Sequence, residues 1–107
     1  MEFKSATRST NRVTPVIEVK CQLNSSEQSD LDRLHTLDST LIAAAKKGVK
    51  DCLTAERDGS KIVLQLKPRN LDKLTDAQLT ALGKAATKKA NANVQAFIKD
   101  RKTKLGR

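Results

Sequence analysis

The sequence predicts a small α+β domain in which two helices pack on a three-stranded sheet, in the order β-α-β-β-α. Residues 17–23 alternate apolar and polar side chains with the period of a strand, and residues 61–67 form a second, aliphatic strand segment. A long segment near the C-terminus carries apolar residues at helical spacing. The chain has 107 residues, which suits one domain with two layers around one core.

The domain organisation follows from where this periodicity begins and ends. Residues 1–12 are polar and show no periodicity, which predicts a flexible N-terminal arm. A short edge strand from Glu2 to Thr7 is the alternative. Residues 13–102 form the single α+β domain, and residues 103–107 form a basic C-terminal tail.

The first strand is predicted over Val13 to Leu23. Pro15 lies near its start, where a strand tolerates proline. Apolar positions then alternate with polar ones, which indicates one buried face. The apolar set is Ile17, Val19, Cys21 and Leu23, and the polar set is Glu18, Lys20 and Gln22.

The first helix is predicted to begin at the serine-rich segment that follows. Ser25 and Gln28 have the spacing of a capping box, and Ser29 is a second candidate cap. Asp38 interrupts the apolar face, which predicts a kink, a later helix start or a polar contact. Lysines before Gly48 predict the end of the helix. The apolar face consists of Leu31, Leu34, Leu41, Ile42 and Ala45.

Residues 49–57 carry two conflicting signals. Val49 and Leu53 would continue the helical face. Asp58-Gly59, however, is a strong hairpin turn, because both central residues must reach positive φ. We therefore predict a hairpin that pairs residues 50–56 with residues 60–67, and Pro68 ends it.

The last helix is predicted from Asp76 to Lys102. Thr75 and Gln78 have capping-box spacing at its start. Gly83 either weakens this helix by ~1 kcal/mol relative to alanine or lets a neighbouring backbone approach. The apolar stripe is Leu79, Leu82, Ala86, Ala90, Val94 and Phe97, flanked by Ile98.

The net charge of +9 is concentrated in the C-terminal part of the chain. Residues 1–60 contain nine basic and nine acidic residues, whereas residues 61–107 contain twelve basic and three acidic ones. In the last helix Lys84, Lys88, Lys99 and Lys102 form a stripe roughly opposite the apolar one. Asn91 and Gln95 lie between these lysines and could bond bases or phosphates.

A basic helical face is typical of proteins that contact nucleic-acid phosphates. We therefore expect a non-catalytic protein that binds DNA or structured RNA through the phosphate backbone. A solvated lysine face is the purely structural interpretation. The chain has only two aromatic residues, Phe3 and Phe97, which disfavours base stacking. The expected binding residues are Lys84, Lys88, Lys99, Arg101, Lys102, Lys104, Arg107, Lys67 and Arg69.

A protein-interaction module is the alternative. Such a regulator or inhibitor would use the same charge to bind an acidic protein partner. The exposed edges of a small sheet would also allow a homodimer.

The remaining patterns favour neither an enzyme nor a cofactor. The four glycines are isolated, so no phosphate loop is present. Cys21, Cys52 and His35 contain no close-spaced pair, so we expect neither a metal site nor a catalytic cysteine. Two cysteines make no disulfide framework. The sequence has no long apolar run, which predicts a cytoplasmic protein with no membrane association.

Overall fold

The computed structural model of the protein describes residues 1–9, 15–34 and 38–105. Within these ranges the chain forms a four-stranded antiparallel sheet and three α-helices, which confirms the α+β class. The strands are β1 (Glu2–Ser9), β2 (Val16–Gln22), β3 (Cys52–Asp58) and β4 (Lys61–Leu66), in the spatial order β1-β2-β4-β3. The helices are α1 (Ser25–Arg33), α2 (Asp38–Ala45) and α3 (Asp76–Leu105), and a 3-10 turn at Leu71–Lys73 precedes α3.

Strand β1 corrects the expectation of a three-stranded sheet and of an arm at the N-terminus. Residues 2–9 pair antiparallel with β2, as in the edge-strand alternative, and residues 10–12 lie outside the described ranges. Phe3 and Ala6 pack partly buried against the core. A bulge between Phe3 and Ser5 shifts the register, so the side chains do not alternate regularly. The sequence period that identifies a strand is therefore lost here.

The predicted alternation of β2 is confirmed. Ile17, Val19 and Cys21 are buried, as are Ile62 and Leu64 on β4. The helices cover this face of the sheet. The lysines of these strands, Lys20 and Lys61, alternate with the buried residues and are exposed on the opposite face.

The first helical region begins one residue earlier than predicted and consists of two helices. Asn24, not Ser25, is the N-cap of α1, and it forms a capping box with Glu27. A second helix, α2, starts at Asp38, which confirms the later start that was one of three alternatives. Residues 35–37 lie outside the described ranges. Gly48 then has φ +74, a conformation that favours glycine.

The hairpin prediction for residues 49–67 is confirmed. β3 and β4 pair antiparallel, but the turn lies one residue later than the predicted Asp58-Gly59 turn. Asp58 ends β3 opposite Lys61, so Gly59 and Ser60 connect the strands, and Gly59 has φ +60 whereas Asp58 does not adopt positive φ. Asp51 also adopts positive φ, at 61°, which aspartate tolerates better than most residues. Val49 is buried without belonging to a helix, because it packs into the common core.

Helix α3 has the predicted start and a later end. The Thr75 hydroxyl accepts a hydrogen bond from the Gln78 backbone at 3.2 Å, and the Gln78 side chain accepts one from the Thr75 backbone at 2.8 Å. The helix continues to Leu105, so residues 103–105 of the expected tail are helical. Ile98 rather than Phe97 continues the buried stripe. α3 packs mainly on β1, α2 and β2, whereas α2 also packs on β3.

Candidate nucleic-acid interface on helix α3

The face of α3 that points away from the sheet is composed of lysine, alanine and two glutamines. The sequence contains no aspartate or glutamate between residues 77 and 99. That segment is about 33 Å long at the helical rise of ~1.5 Å per residue. The face therefore carries four lysines and no carboxylate over about six turns of helix. Its exposed residues are Ala77, Gln78, Ala81, Lys84, Ala85, Lys88, Lys89, Ala92, Gln95, Ala96 and Lys99.

Three lysines of the predicted stripe are exposed and hold no carboxylate. Within the described ranges, Lys84, Lys88 and Lys99 form no ion pair. They extend along about 22 Å of the helix. Their ammonium groups keep their full charge available to a ligand in solution. We name Lys84, Lys88 and Lys99 the lysine ladder.

The other predicted cations of α3 have partners within the chain. Lys102 Nζ lies 2.9 Å from Asp30 Oδ2, and Lys104 Nζ lies 3.2 Å from Asp100 Oδ2. The Arg101 guanidinium stacks over the Phe97 ring, 5.1 Å from its centroid. These three side chains are exposed but share their charge with neighbours. Arg107 lies outside the described residues.

Asn91 and Gln95 both hydrogen-bond within the chain, although Gln95 is exposed, so they are not free to bond bases or phosphates as expected. The Met1 ammonium donates to Asn91 Oδ1 at 2.9 Å and to both Glu27 oxygens at 2.6 Å. Gln95 Nε2 also donates to Glu27 Oε2. Glu27 is only 4% exposed, so a buried carboxylate holds this network together.

Lys67 and Arg69 lie apart from the lysine ladder. Both are exposed on the segment that leads from β4 towards α3, around a surface depression also lined by Arg8 and Asp72. Arg8 fixes this segment, because its guanidinium donates to the backbone carbonyls of Leu71 and Leu74. No lysine of the ladder lines the depression.

A second basic surface lies where α3 passes the end of β4, and sequence analysis missed two of its residues. Lys50 and Lys89 line an open cavity of about 300 Å³. An adjoining cavity of about 680 Å³ contains Lys50 and Arg69. Lys50 belongs to the neutral half of the chain, and Lys89 falls off the helical stripe, so no periodic signal links them. Gly48 gives Lys89 room, since a Cβ there would lie 3.0 Å from its Cε.

The two cysteines show no sign of nucleophilic activation. The Cys21 Sγ lies 3.3 Å from the Thr87 hydroxyl, which itself donates to the Gly83 carbonyl at 2.8 Å. The thiol is therefore the donor to Thr87. Burial raises the pKa of the Cys21 thiol and also that of the half-buried Cys52 thiol. His35 lies outside the described residues, and elsewhere no cluster of three potential metal ligands is found.

Comparison with known protein families, with curated proteins and with solved structures finds no match to this chain. In the ranges given above, no helix has the length and apolar character needed to cross a membrane.

Proposed function

We propose that this protein is a non-catalytic nucleic-acid-binding protein that contacts phosphates through the outer face of α3. The observation that carries the proposal is the lysine ladder: three exposed lysines that form no ion pair with any described residue, on a helical segment without acidic residues. Such a ladder releases condensed counterions when it neutralises phosphates, which drives binding.

The side chains between the lysines support contact with a backbone rather than with base edges. Ala92 and Ala96 are small and exposed, so a phosphate backbone can approach the helix closely. Lysine binds phosphate as a point charge and offers little bidentate recognition of bases. The proposal is therefore binding with low sequence specificity to DNA or structured RNA. It includes a cytoplasmic location, where both cysteines stay reduced.

The test is a fluorescence-anisotropy titration with a 20-base-pair DNA duplex and an RNA duplex of the same sequence. Three phosphate contacts predict that affinity falls about fortyfold between about 50 and 200 mM salt. No binding to either duplex at the lower salt concentration would overturn the proposal.

Two double variants of equal net charge distinguish binding by the lysine ladder from a general effect of net charge on duplex affinity. The double variant Lys84→Glu/Lys88→Glu should abolish most of the binding. The control Lys20→Glu/Lys61→Glu changes net charge equally on the opposite face of the sheet, and we expect a much smaller loss. An equal loss of duplex affinity in both variants would show that net charge alone is responsible, and α3 would then not be the binding site.

A further inference from the structure

The cavities beside α3 form one continuous groove with an apolar floor. Both cavities share Lys50, Asp51, Pro68 and Leu82, so they adjoin. The groove is lined by Leu66, Pro68 and Leu82 below and by Lys50, Arg69 and Lys89 at its sides. These six residues define what we call the groove.

The groove exists because the helices do not cover the whole sheet. α3 packs mainly over β1 and β2, and α2 packs on β3. The end of β4 at Leu66 therefore faces the gap between α3 and the α2–β3 connection. Alanine at positions 85 and 86 of α3 leaves this gap open.

The sides of the groove carry more positive than negative charge. Lys50, Lys89 and Arg69 are exposed, and in the described part of the chain none of the three forms an ion pair. Asp51 is the one acidic residue among the residues that line the two cavities. A ligand that fits must therefore present carboxylates at the rim and apolar groups to the floor.

We propose that the groove binds an acidic amphipathic peptide segment of a partner protein. The groove extends along α3 from Gln78 to Lys89, about 16 Å, which matches three turns of a helix. Such a segment places leucine-like side chains on the floor and glutamates beside the three cations. A phosphate backbone fits less well, because it offers no apolar surface to Leu66 and Leu82. The proposal extends beyond nucleic-acid binding and uses residues outside the ladder.

The probe is a fluorescein-labelled 12-residue peptide with leucine at positions 1, 4, 5, 8 and 11 and glutamate elsewhere. Anisotropy at 150 mM salt should show saturable binding, and amide NMR shifts should concentrate at Lys50, Leu82 and Lys89. A peptide with serine in place of every leucine should bind at least tenfold more weakly. Equal binding of the serine peptide, or shifts confined to the lysine ladder, would overturn the proposal.

Two pairs of variants distinguish this site from the nucleic-acid surface. Ala85→Phe fills the groove and should weaken the peptide about tenfold, whereas Ala92→Phe on the same exposed helix should not. Lys50→Glu/Lys89→Glu should weaken the peptide more than Lys84→Glu/Lys88→Glu does. If Lys50→Glu/Lys89→Glu instead lowers duplex affinity and leaves peptide affinity unchanged, the groove belongs to the nucleic-acid surface and the peptide proposal is wrong.

Discussion

The two flanks of α3 contain similar polar residues and use them differently. On the flank that faces α1, Asn91, Gln95 and Lys102 all meet acidic or ammonium partners from the N-terminal third of the chain. On the groove flank, Lys89 meets no carboxylate of the described residues, and a cavity remains open beside it. The difference lies in what packs alongside the helix. A polar side chain becomes structural where a neighbouring element supplies its partner, and stays available for binding elsewhere.

Removal of the buried Glu27 carboxylate should have the largest effect on stability, because Glu27 joins Met1 and Gln95 on the α1 flank. Glu27→Gln leaves the buried Met1 ammonium without a counter-charge, which should lower the free energy of unfolding by about 3–5 kcal/mol. Chemical denaturation followed by circular dichroism measures the change. Asp32→Asn, on the same helix and exposed, is the control and should change stability by less than about 0.5 kcal/mol. A loss below about 1 kcal/mol for Glu27→Gln would show that the pair contributes little.

A methyl group at Gly83 tests how tightly α3 contacts β1. A Cβ there would lie 2.7 Å from Ala6 Cβ and 2.8 Å from Phe3 Cε1, so the strand or the helix must shift. Gly83→Ala should cost about 1–3 kcal/mol, despite a gain of ~1 kcal/mol in helix propensity. Thermal denaturation should show partial recovery in Gly83→Ala/Ala6→Gly. A single variant that is more stable than the parent would contradict the close contact.

The cysteines compare the sheet-facing side of α3 with the groove. Cys21 lies beneath α3 against Thr87, whereas Cys52 is half-buried at the end of β3 that pairs with Leu66 of the groove. A thiol-specific disulfide reagent should label Cys52 at least tenfold faster than Cys21. Labelling of the buried Cys21 requires α3 to open away from the sheet. Since burial raises both pKa values, both rates should rise as pH rises and more thiolate forms. In Cys52→Ser only Cys21 can react, so this variant identifies the slow labelling phase. Equal labelling rates for the two cysteines would contradict the predicted difference in their accessibility.

The sequence predicted local features well and tertiary partners poorly. The Thr75 capping box depends on residues three positions apart, so its spacing identifies it. Asp58-Gly59 correctly indicated a hairpin, but the turn itself lies one residue later, at Gly59-Ser60. The cap of α1 was misplaced by one residue, because Asn24/Glu27 and Ser25/Gln28 have the same spacing. Only the fold shows that Glu27 is buried and reaches Gln95, since 68 positions separate them. The same limit concealed that Lys50 and Lys89 line one cavity.

Release of Lys102 from Asp30 should convert part of the α1 flank into binding surface. The pair is half-exposed, with Lys102 at 55% and Asp30 at 17%, so Asp30→Asn should cost only about 0.5 kcal/mol of stability. The freed ammonium would add a fourth phosphate contact next to the lysine ladder. Anisotropy titrations of a DNA duplex should then show a steeper salt dependence, by about 0.9 in the slope of log affinity against log salt. Asp32→Asn changes net charge equally without freeing a lysine, so an identical slope for both variants would refute the role assigned to Asp30.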